Sequence, residues 1–188
     1  MQQTQTALII IYEGFEEMEA IGPIDLLRRA GIDCSVASRE DELLVRGRSG
    51  IFVRAEISLD EVADNEFDLV VLPGGPGYTR MVKDSRVIEI LKKQAGGERL
   101  IGAICAAPTI LKQAGLLEGR RYTAHSGVAG TLPGLIADQA VIEDGNIITS
   151  RGAGTATEFA LALVARLAGS DKAREIATSI CYRPGESG

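Results

Sequence analysis

The amino-acid sequence predicts an α/β fold with a mostly parallel central sheet covered by helices on both faces. Two observations lead to this prediction. Continuous apolar runs rich in β-branched residues, such as Thr6–Tyr12 and Phe67–Leu72, are typical of strands buried on both faces of a sheet. These runs alternate with amphipathic stretches of helical period along the chain, which indicates right-handed β-α-β crossovers.

The strands are predicted from apolar runs bounded by glycine, proline or polar turn residues. In chain order they are Thr6–Tyr12, Ile32–Ala37, Phe67–Leu72 and Arg99–Ile104, followed by a hairpin of Ala140–Ile142 and Asn146–Ser150 around Asp144-Gly145. The stretch Glu40–Ala55 carries turn signals at Arg48-Ser49-Gly50, so we expect a small hairpin or an extended excursion there.

Five helices are predicted from the spacing of apolar positions: Glu16–Ala30, Ser85–Gln94, Ala106–Gly115, Thr155–Leu167 and Asp171–Tyr182. The first contains Pro23, where we expect a kink, and ends before Gly31. The third has Pro108 in its first turn, where proline is tolerated. In the fourth, Thr155 and Glu158 have the spacing of a capping box.

Length and composition indicate one soluble domain spanning residues 1–188, with Arg183–Gly188 expected to form a loose tail. A formal charge of −6, the absence of a basic cluster and an aromatic content of 4% disfavour binding to nucleic acid or anionic membranes. No stretch approaches the roughly 18 apolar residues of a membrane span, and the N-terminal MQQTQT lacks the positive region of a secretory signal. We therefore expect a cytoplasmic location.

The three cysteines, Cys34, Cys105 and Cys181, are widely spaced. Because His125 is the single histidine, a structural zinc site would need an unusual ligand set. A disulfide framework is not expected in a reducing compartment. The glycine-rich turn Pro73–Gly77 lacks the spacing of a phosphate-binding or dinucleotide motif. We therefore expect neither a metal nor a cofactor.

Three segments that could carry chemistry follow directly after predicted strands: Glu13–Glu19, Gly74–Gly77 and Cys105. In an open α/β sheet, ligands bind outside the carboxyl ends of the strands. If the three strands are neighbours, the three segments meet at one edge of the sheet.

Cys105 lies at the predicted turn from a strand into a helix, the position of the nucleophile in a nucleophile elbow. Ala103 and Ala107 supply the small residues that such a turn requires, and a helix N-terminus favours the thiolate. The amides of Gly75 and Ala106 would make a plausible pair of oxyanion donors. The residues alone leave two alternatives open: a buried structural cysteine and a plain glycine-rich loop.

Acidic residues and a histidine complete the candidate site. Glu16 and Glu17 are expected to interact with the helix dipole. Glu19 lies on the face expected to turn inward, so its pKa should be raised and it could donate a proton. A lone histidine is more often a surface or hydrogen-bonded residue than a catalyst, but His125 would be a candidate general base if it lies near Cys105.

Four segments together resemble the ThiJ/PfpI superfamily: EGFEEMEA (13–20), LPGGPG (72–77), AICAAP (103–108) and TSRGAGTATEFAL (149–161). They occur in order over nearly the whole chain, and the most similar branch is that of the Parkinsonism-associated protein DJ-one and its bacterial relatives. The resemblance implies a flavodoxin-like three-layer α/β/α sandwich, like that of class I glutamine amidotransferases. It also implies a homodimer.

The resemblance further implies roles for five residues. The reactive elbow cysteine of the family matches Cys105. A protonated glutamate that hydrogen-bonds the thiolate or its sulfinic form matches Glu19. The oxyanion donors match Gly75 and Ala106, and a nearby histidine matches His125.

Two departures from the family pattern bear on function. Peptidase-like branches place a histidine directly after the cysteine, whereas this chain has Ala106, which weakens a peptidase interpretation. Ala107 stands where relatives often have glycine and could narrow the mouth of the pocket. An arginine that the family contributes across the dimer could correspond to Arg48.

Two functions remain open from the sequence. The first is a cofactor-free glyoxalase or deglycase of the stress response, in which Cys105 attacks a reactive dicarbonyl such as methylglyoxal. The second is an oxidative-stress sensor or chaperone-like protective protein whose Cys105 is oxidised to a sulfinic acid held by Glu19. The expected partners are a small aldehyde or glycated substrate and a second copy of the chain. A role in thiamine biosynthesis has no support in the sequence.

Overall fold

The computed structural model describes residues 4–183. The strands are β1 (Thr6–Ile11), β2 (Asp33–Ser38), β3 (Leu44–Arg46), β4 (Phe52–Arg54), β5 (Ile57–Ser58), β6 (Leu69–Leu72), β7 (Leu100–Ile104), β8 (Val141–Asp144) and β9 (Ile147–Ser150). The α-helices are α1 (Glu17–Arg29), α2 (Leu59–Val62), α3 (Tyr78–Met81), α4 (Ser85–Gly96), α5 (Pro108–Gln113), α6 (Ala156–Ala168) and α7 (Ser170–Ser179).

Seven strands form one sheet in the order β5-β2-β1-β6-β7-β9-β8. Every neighbouring pair is parallel except β8 and β9, which form the predicted hairpin at one edge. β3 and β4 form a separate antiparallel hairpin within the predicted Glu40–Ala55 excursion. The mostly parallel sheet predicted from the alternating pattern is therefore confirmed.

Helices cover both faces of the sheet. α6 packs against both α1 and α7, whereas α4 packs against α5, β6 and β7. The central strands β6 and β7 are buried along their whole length, and β1 is buried except at its first residue. The architecture is the three-layer α/β/α sandwich that the resemblance implies.

Some details differ from the prediction. The predicted capping box of Thr155 and Glu158 is wrong, because the Thr155 hydroxyl bonds to the backbone of Gly152 and to Ser150 and does not cap α6. The helix after Cys105 is shorter than predicted and begins at Pro108. β5, α2 and α3 were not predicted, because elements of two to four residues are too short to show periodicity.

Two expectations concern the termini and membranes. Residues 184–188 of the expected loose tail lie outside the described residues. Within residues 4–183, the helices are too short or too polar to cross a membrane.

Candidate active site

The topology brings the three candidate segments together. β6 lies between β1 and β7, and both pairings are parallel. The residues that follow these three strands therefore share one edge of the sheet, as the sequence predicted for neighbouring strands.

Cys105 occupies a strained turn directly after β7. Its φ of 64° is unusual for a residue other than glycine. The turn is held by two backbone hydrogen bonds: the Cys105 amide donates to the Ser150 carbonyl (2.9 Å), and the His125 amide donates to the Cys105 carbonyl (2.8 Å). The sharp turn from strand to helix is therefore confirmed, and the thiol is half-buried at its apex.

The loop after β6 approaches Cys105 so closely that only glycine fits. A methyl group at Gly74 would lie 2.6 Å from Cβ of Cys105 and 2.7 Å from Oε2 of Glu19. Gly75 has a φ of 105°, which side chains rarely allow. These two glycines therefore let the backbone of the loop reach both side chains.

Glu19 is almost completely buried, with 1% of its surface exposed. Burial raises the pKa of its carboxyl to about 7, while hydrogen bonding to Cys105 and to the Gly74 amide lowers it. The Gly74 amide lies 2.8 Å from Oε2. The Glu16 charge raises the pKa and the Arg48 charge lowers it. The raised pKa agrees with the sequence prediction, and it means that Glu19 gains and loses its proton near neutral pH.

The predicted preference of Cys105 for the thiolate is wrong for the site as it stands. Burial raises the pKa of the thiol to about 12, the Glu19 carboxyl raises it further, and the amides of Ala106 and Gly75 lower it. The helix begins only at Pro108, so its N-terminus does not outweigh burial. The thiol therefore keeps its proton at neutral pH. Both amides act on the thiol, and their role as oxyanion donors stays a prediction.

His125 lies beside this pair. A methyl group at Gly152 would lie 3.6 Å from Cδ2 of His125, 3.8 Å from Oε1 of Glu19 and 4.0 Å from Sγ of Cys105. Nδ1 of His125 accepts a hydrogen bond from the Gly127 amide at 3.0 Å. The neutral ring must therefore carry its proton on Nε2, so it is arranged to donate a hydrogen bond.

The β3–β4 turn also reaches the site. The Arg48 amide donates to the Phe15 carbonyl at 2.8 Å, and the Arg48 charge lowers the pKa of Glu19 within the same chain. An arginine contributed by a second copy remains a prediction. Glu17 was assigned only to the helix dipole, yet its buried carboxylate accepts the Ser49 amide at 2.8 Å and anchors this turn.

Sequence reasoning missed Tyr12, which lies directly after β1 and has no exposed surface. Its hydroxyl lies 2.8 Å from the carbonyl oxygens of both Pro73 and Gly74. The available signal was a polar group at the carboxyl end of a strand that is otherwise apolar.

A cavity of about 310 Å³ opens beside the histidine and is lined by His125, Ser126 and residues 151–155. This size suits a small molecule. A second cavity of about 440 Å³ is lined in part by residues of α3 and α5, and Cys105 lines neither cavity. Within the described part of the chain, no three acidic, cysteine or histidine side chains are grouped so that they could hold a metal ion.

Comparison with known proteins shows which family the chain resembles. Residues 5–166 match the model of the DJ-1/PfpI family. Protein dj-1beta of Drosophila melanogaster is 40% identical over 181 residues, which cover 94% of this chain and 97% of that protein. The glutathione-independent glyoxalase DJR-1.2 of Caenorhabditis elegans is 35% identical, with 96% and 98% covered.

Solved structures give the same result. The crystal structure of Drosophila melanogaster DJ-1beta has a TM-score of 0.94 at 40% identity and covers 97% of this chain and 100% of that one. Oxidized Toxoplasma gondii DJ-1 has a TM-score of 0.92 at 33% identity, with 96% and 100% covered. The chain belongs to the DJ-1/PfpI family.

Proposed function

We propose that this protein is a cysteine-dependent glyoxalase that needs no cofactor and acts on small dicarbonyls such as methylglyoxal. The observation that carries the proposal is the pairing of the Cys105 thiol with Glu19, whose pKa of about 7 suits proton transfer near neutral pH. The glutathione-independent glyoxalase of Caenorhabditis elegans among the relatives supports the same chemistry.

The first step forms a bond between Sγ of Cys105 and the aldehyde carbon, C1. The Glu19 carboxylate accepts the thiol proton as the sulfur attacks, which removes the barrier that burial places on the free thiolate. The aldehyde oxygen becomes an alkoxide that accepts hydrogen bonds from the amides of Gly75 and Ala106. Glu19 then returns its proton to this oxygen, which gives a hemithioacetal.

The second step moves hydrogen from C1 to the ketone carbon, C2. The Glu19 carboxylate removes the proton from C1, and the negative charge develops on the C2 oxygen, to which Nε2 of His125 donates a hydrogen bond. The C2 oxygen takes the proton of the C1 hydroxyl, and Glu19 gives its proton to C2. The product is a lactyl thioester on Cys105. C1 is oxidised as C2 is reduced, so no external redox partner is needed.

The last step is hydrolysis. Water attacks C1 of the thioester, the C1–S bond breaks, and a proton from the water restores the Cys105 thiol. The sum of the steps is methylglyoxal plus water giving lactic acid, which ionises to lactate and a proton. Removal of sugar-derived adducts from glycated proteins by the same thiol is a related proposal, because it uses the same attack on a carbonyl carbon.

D-lactate formation from methylglyoxal tests this proposal. The purified protein should form D-lactate, Cys105→Ser should reduce the rate to the uncatalysed background, and Cys181→Ser, which alters an exposed cysteine, should match the wild type. Equal turnover by the wild type and Cys105→Ser would contradict the proposal, as would the absence of D-lactate with the wild type.

A second candidate function is sensing or buffering oxidative stress through a sulfinic acid at Cys105. A protonated Glu19 and the two amides beside the sulfur could donate hydrogen bonds to sulfinic oxygens. The oxidized form of Toxoplasma gondii DJ-1 is a structural relative. Mild peroxide should add two oxygen atoms at Cys105 first, as seen by intact mass and peptide mapping. Earlier oxidation of Cys34 or Cys181 would contradict this candidate.

The remaining parts of the proposal concern assembly and location. We propose that residues 1–188 act as one cytoplasmic domain that forms a homodimer and binds neither nucleic acid nor membranes. Large apolar side chains left exposed on α1 and on the β3–β4 hairpin support a homodimer. They are Met18, Ile21, Leu44, Ile51 and Phe52.

A further inference from the structure

We propose that Tyr12 is a positioning residue for the Cys105–Glu19 pair. Its hydroxyl orients two consecutive peptide groups of the loop after β6, and each of these groups presents one amide to one of the two side chains. The inference rests on the proposed function of this site, because it concerns how the thiol and the carboxyl are made ready to react.

The Tyr12 hydroxyl acts as a donor. Burial raises its pKa well above the ordinary value of tyrosine, the Glu19 and Cys105 charges raise it further, and the Arg80 charge lowers it. The hydroxyl therefore keeps its single proton, which the carbonyl oxygens of Pro73 and Gly74 share in a bifurcated hydrogen bond. The side chain is completely enclosed, so close packing around the ring holds the hydroxyl in this position.

The first of the two peptide groups joins Pro73 to Gly74. Its carbonyl oxygen lies 2.8 Å from the Tyr12 hydroxyl. Since this peptide is planar and trans, its N–H points away from its carbonyl. That N–H, of Gly74, donates to Oε2 of Glu19 at 2.8 Å. A hydroxyl that fixes the carbonyl therefore also fixes the amide that stabilises the Glu19 carboxylate.

The second peptide group joins Gly74 to Gly75. Its carbonyl accepts from the Tyr12 hydroxyl at 2.8 Å and from the Glu16 amide at 2.9 Å. The opposite end of the same plane is the Gly75 amide, which lowers the pKa of Cys105. With glycine at both positions the loop has little stiffness of its own. Its orientation therefore depends on these outside contacts.

A simpler role for Tyr12 is to fill the core, and Tyr12→Phe separates the two roles because it keeps the ring and removes only the hydroxyl. Tyr122→Phe is the matched control. Tyr122 is also buried, and its hydroxyl accepts from the Gly134 amide at 3.1 Å, away from the loop after β6. A loss of packing or of a buried hydroxyl affects both variants, whereas misplacement of the site affects only Tyr12→Phe.

The measured quantity is the rate at which iodoacetamide alkylates Cys105, followed by peptide mapping between roughly pH 5.5 and pH 9. Steps of about 0.5 pH units suffice, because a shift of one pKa unit changes the ionisation equilibrium tenfold. Tyr12→Phe should slow alkylation at neutral pH by about tenfold and shift the rise in rate to higher pH, because both the carboxylate and the developing thiolate lose an aligned amide. Tyr122→Phe should match the wild type. Wild-type rates and pH dependence in Tyr12→Phe would overturn the proposal.

Two further measurements sharpen the result. Replacement of Tyr12 by 4-aminophenylalanine supplies two N–H donors and should restore the alkylation rate; failure to restore it in a folded protein would overturn the proposal. If Tyr12→Phe does not fold, the unaltered chain provides the test by NMR. The hydroxyl proton of Tyr12 should shift when Cys105 is alkylated, whereas that of Tyr122 should not. An unchanged Tyr12 signal would overturn the proposal.

Alkylation needs no turnover of a dicarbonyl. A wild type that forms no D-lactate would therefore contradict the proposed glyoxalase function and leave the test of Tyr12 intact.

Discussion

Cys34 and Cys105 are chemically identical thiols at opposite ends of the same sheet. Cys34 is the second residue of β2, and Cys105 follows the last residue of β7. Burial raises the pKa of each thiol to about 12. Around Cys34 the Arg28 charge lowers the pKa, whereas the Glu56 and Asp33 charges raise it.

The two sites differ in what can accept the proton of the thiol. Arg28 donates to the Cys34 carbonyl at 2.7 Å and forms an ion pair with Glu56, also at 2.7 Å. The carboxylate beside Cys34 is therefore already paired. Cys105 faces Glu19, a buried carboxyl with a pKa of about 7. Burial and the raised pKa therefore do not separate the two thiols, whereas the unpaired buried carboxyl and the strained turn beside Cys105 do.

The largest effect is expected from removing that acceptor. Glu19→Gln should lower kcat/KM for D-lactate formation by about 100- to 10,000-fold, the range that a general acid–base residue contributes. Glu56→Gln, the equivalent change beside Cys34, should leave kcat/KM unchanged. Steady-state assays of the two variants check this. Similar activity in Glu19→Gln and the wild type would remove Glu19 from the mechanism.

The second expected effect is selective labelling. Iodoacetamide at neutral pH should alkylate Cys105 about 100-fold faster than Cys34, because the Cys34 side chain is reached only when the structure opens locally. Peptide mapping over time gives both rates in one sample. Comparable rates for the two residues would show that the surroundings of Cys105 confer no special reactivity.

A third expected effect is on stability. Between its ordinary pKa of 4.5 and its raised pKa of about 7, Glu19 holds a proton in the folded chain that the unfolded chain releases. A range of about three pH units, from roughly pH 5 to pH 8, therefore covers most of the change. The free energy of unfolding of the wild type should therefore fall, relative to Glu19→Gln, by up to about 3 kcal/mol as pH rises. Urea denaturation at several pH values checks this. Parallel curves for the two proteins would mean that the Glu19 pKa is not raised.

Much of the fold could be predicted because long periodic segments carry the signal. The apolar runs of β1, β6 and β7 predicted buried strands. Cys105 and Glu19 both lie at the edge of the sheet that the carboxyl ends of these strands form. The short elements β5, α2 and α3 could not be predicted, because they are fixed by the tertiary structure around them.

Only those parts of the site that depend on residues close together in the sequence could be predicted. The contacts of Tyr12 join residues about 60 positions apart in the chain and depend on the path of a glycine-rich loop. The pKa of Cys105 could not be predicted either. The predicted helix N-terminus favoured a thiolate. Burial by neighbours distant in sequence has the larger effect on the pKa of the thiol, and it raises that pKa.

The central claim is that Cys105 reacts by passing its proton to Glu19, and the pH dependence of Cys105 alkylation tests it most directly. In the wild type the rate should rise through pH 7, as Glu19 ionises, and then level off. In Glu19→Gln the rise near pH 7 should be absent, and the rate should increase steadily with pH. A wild-type profile that Glu19→Gln leaves unchanged would contradict the account.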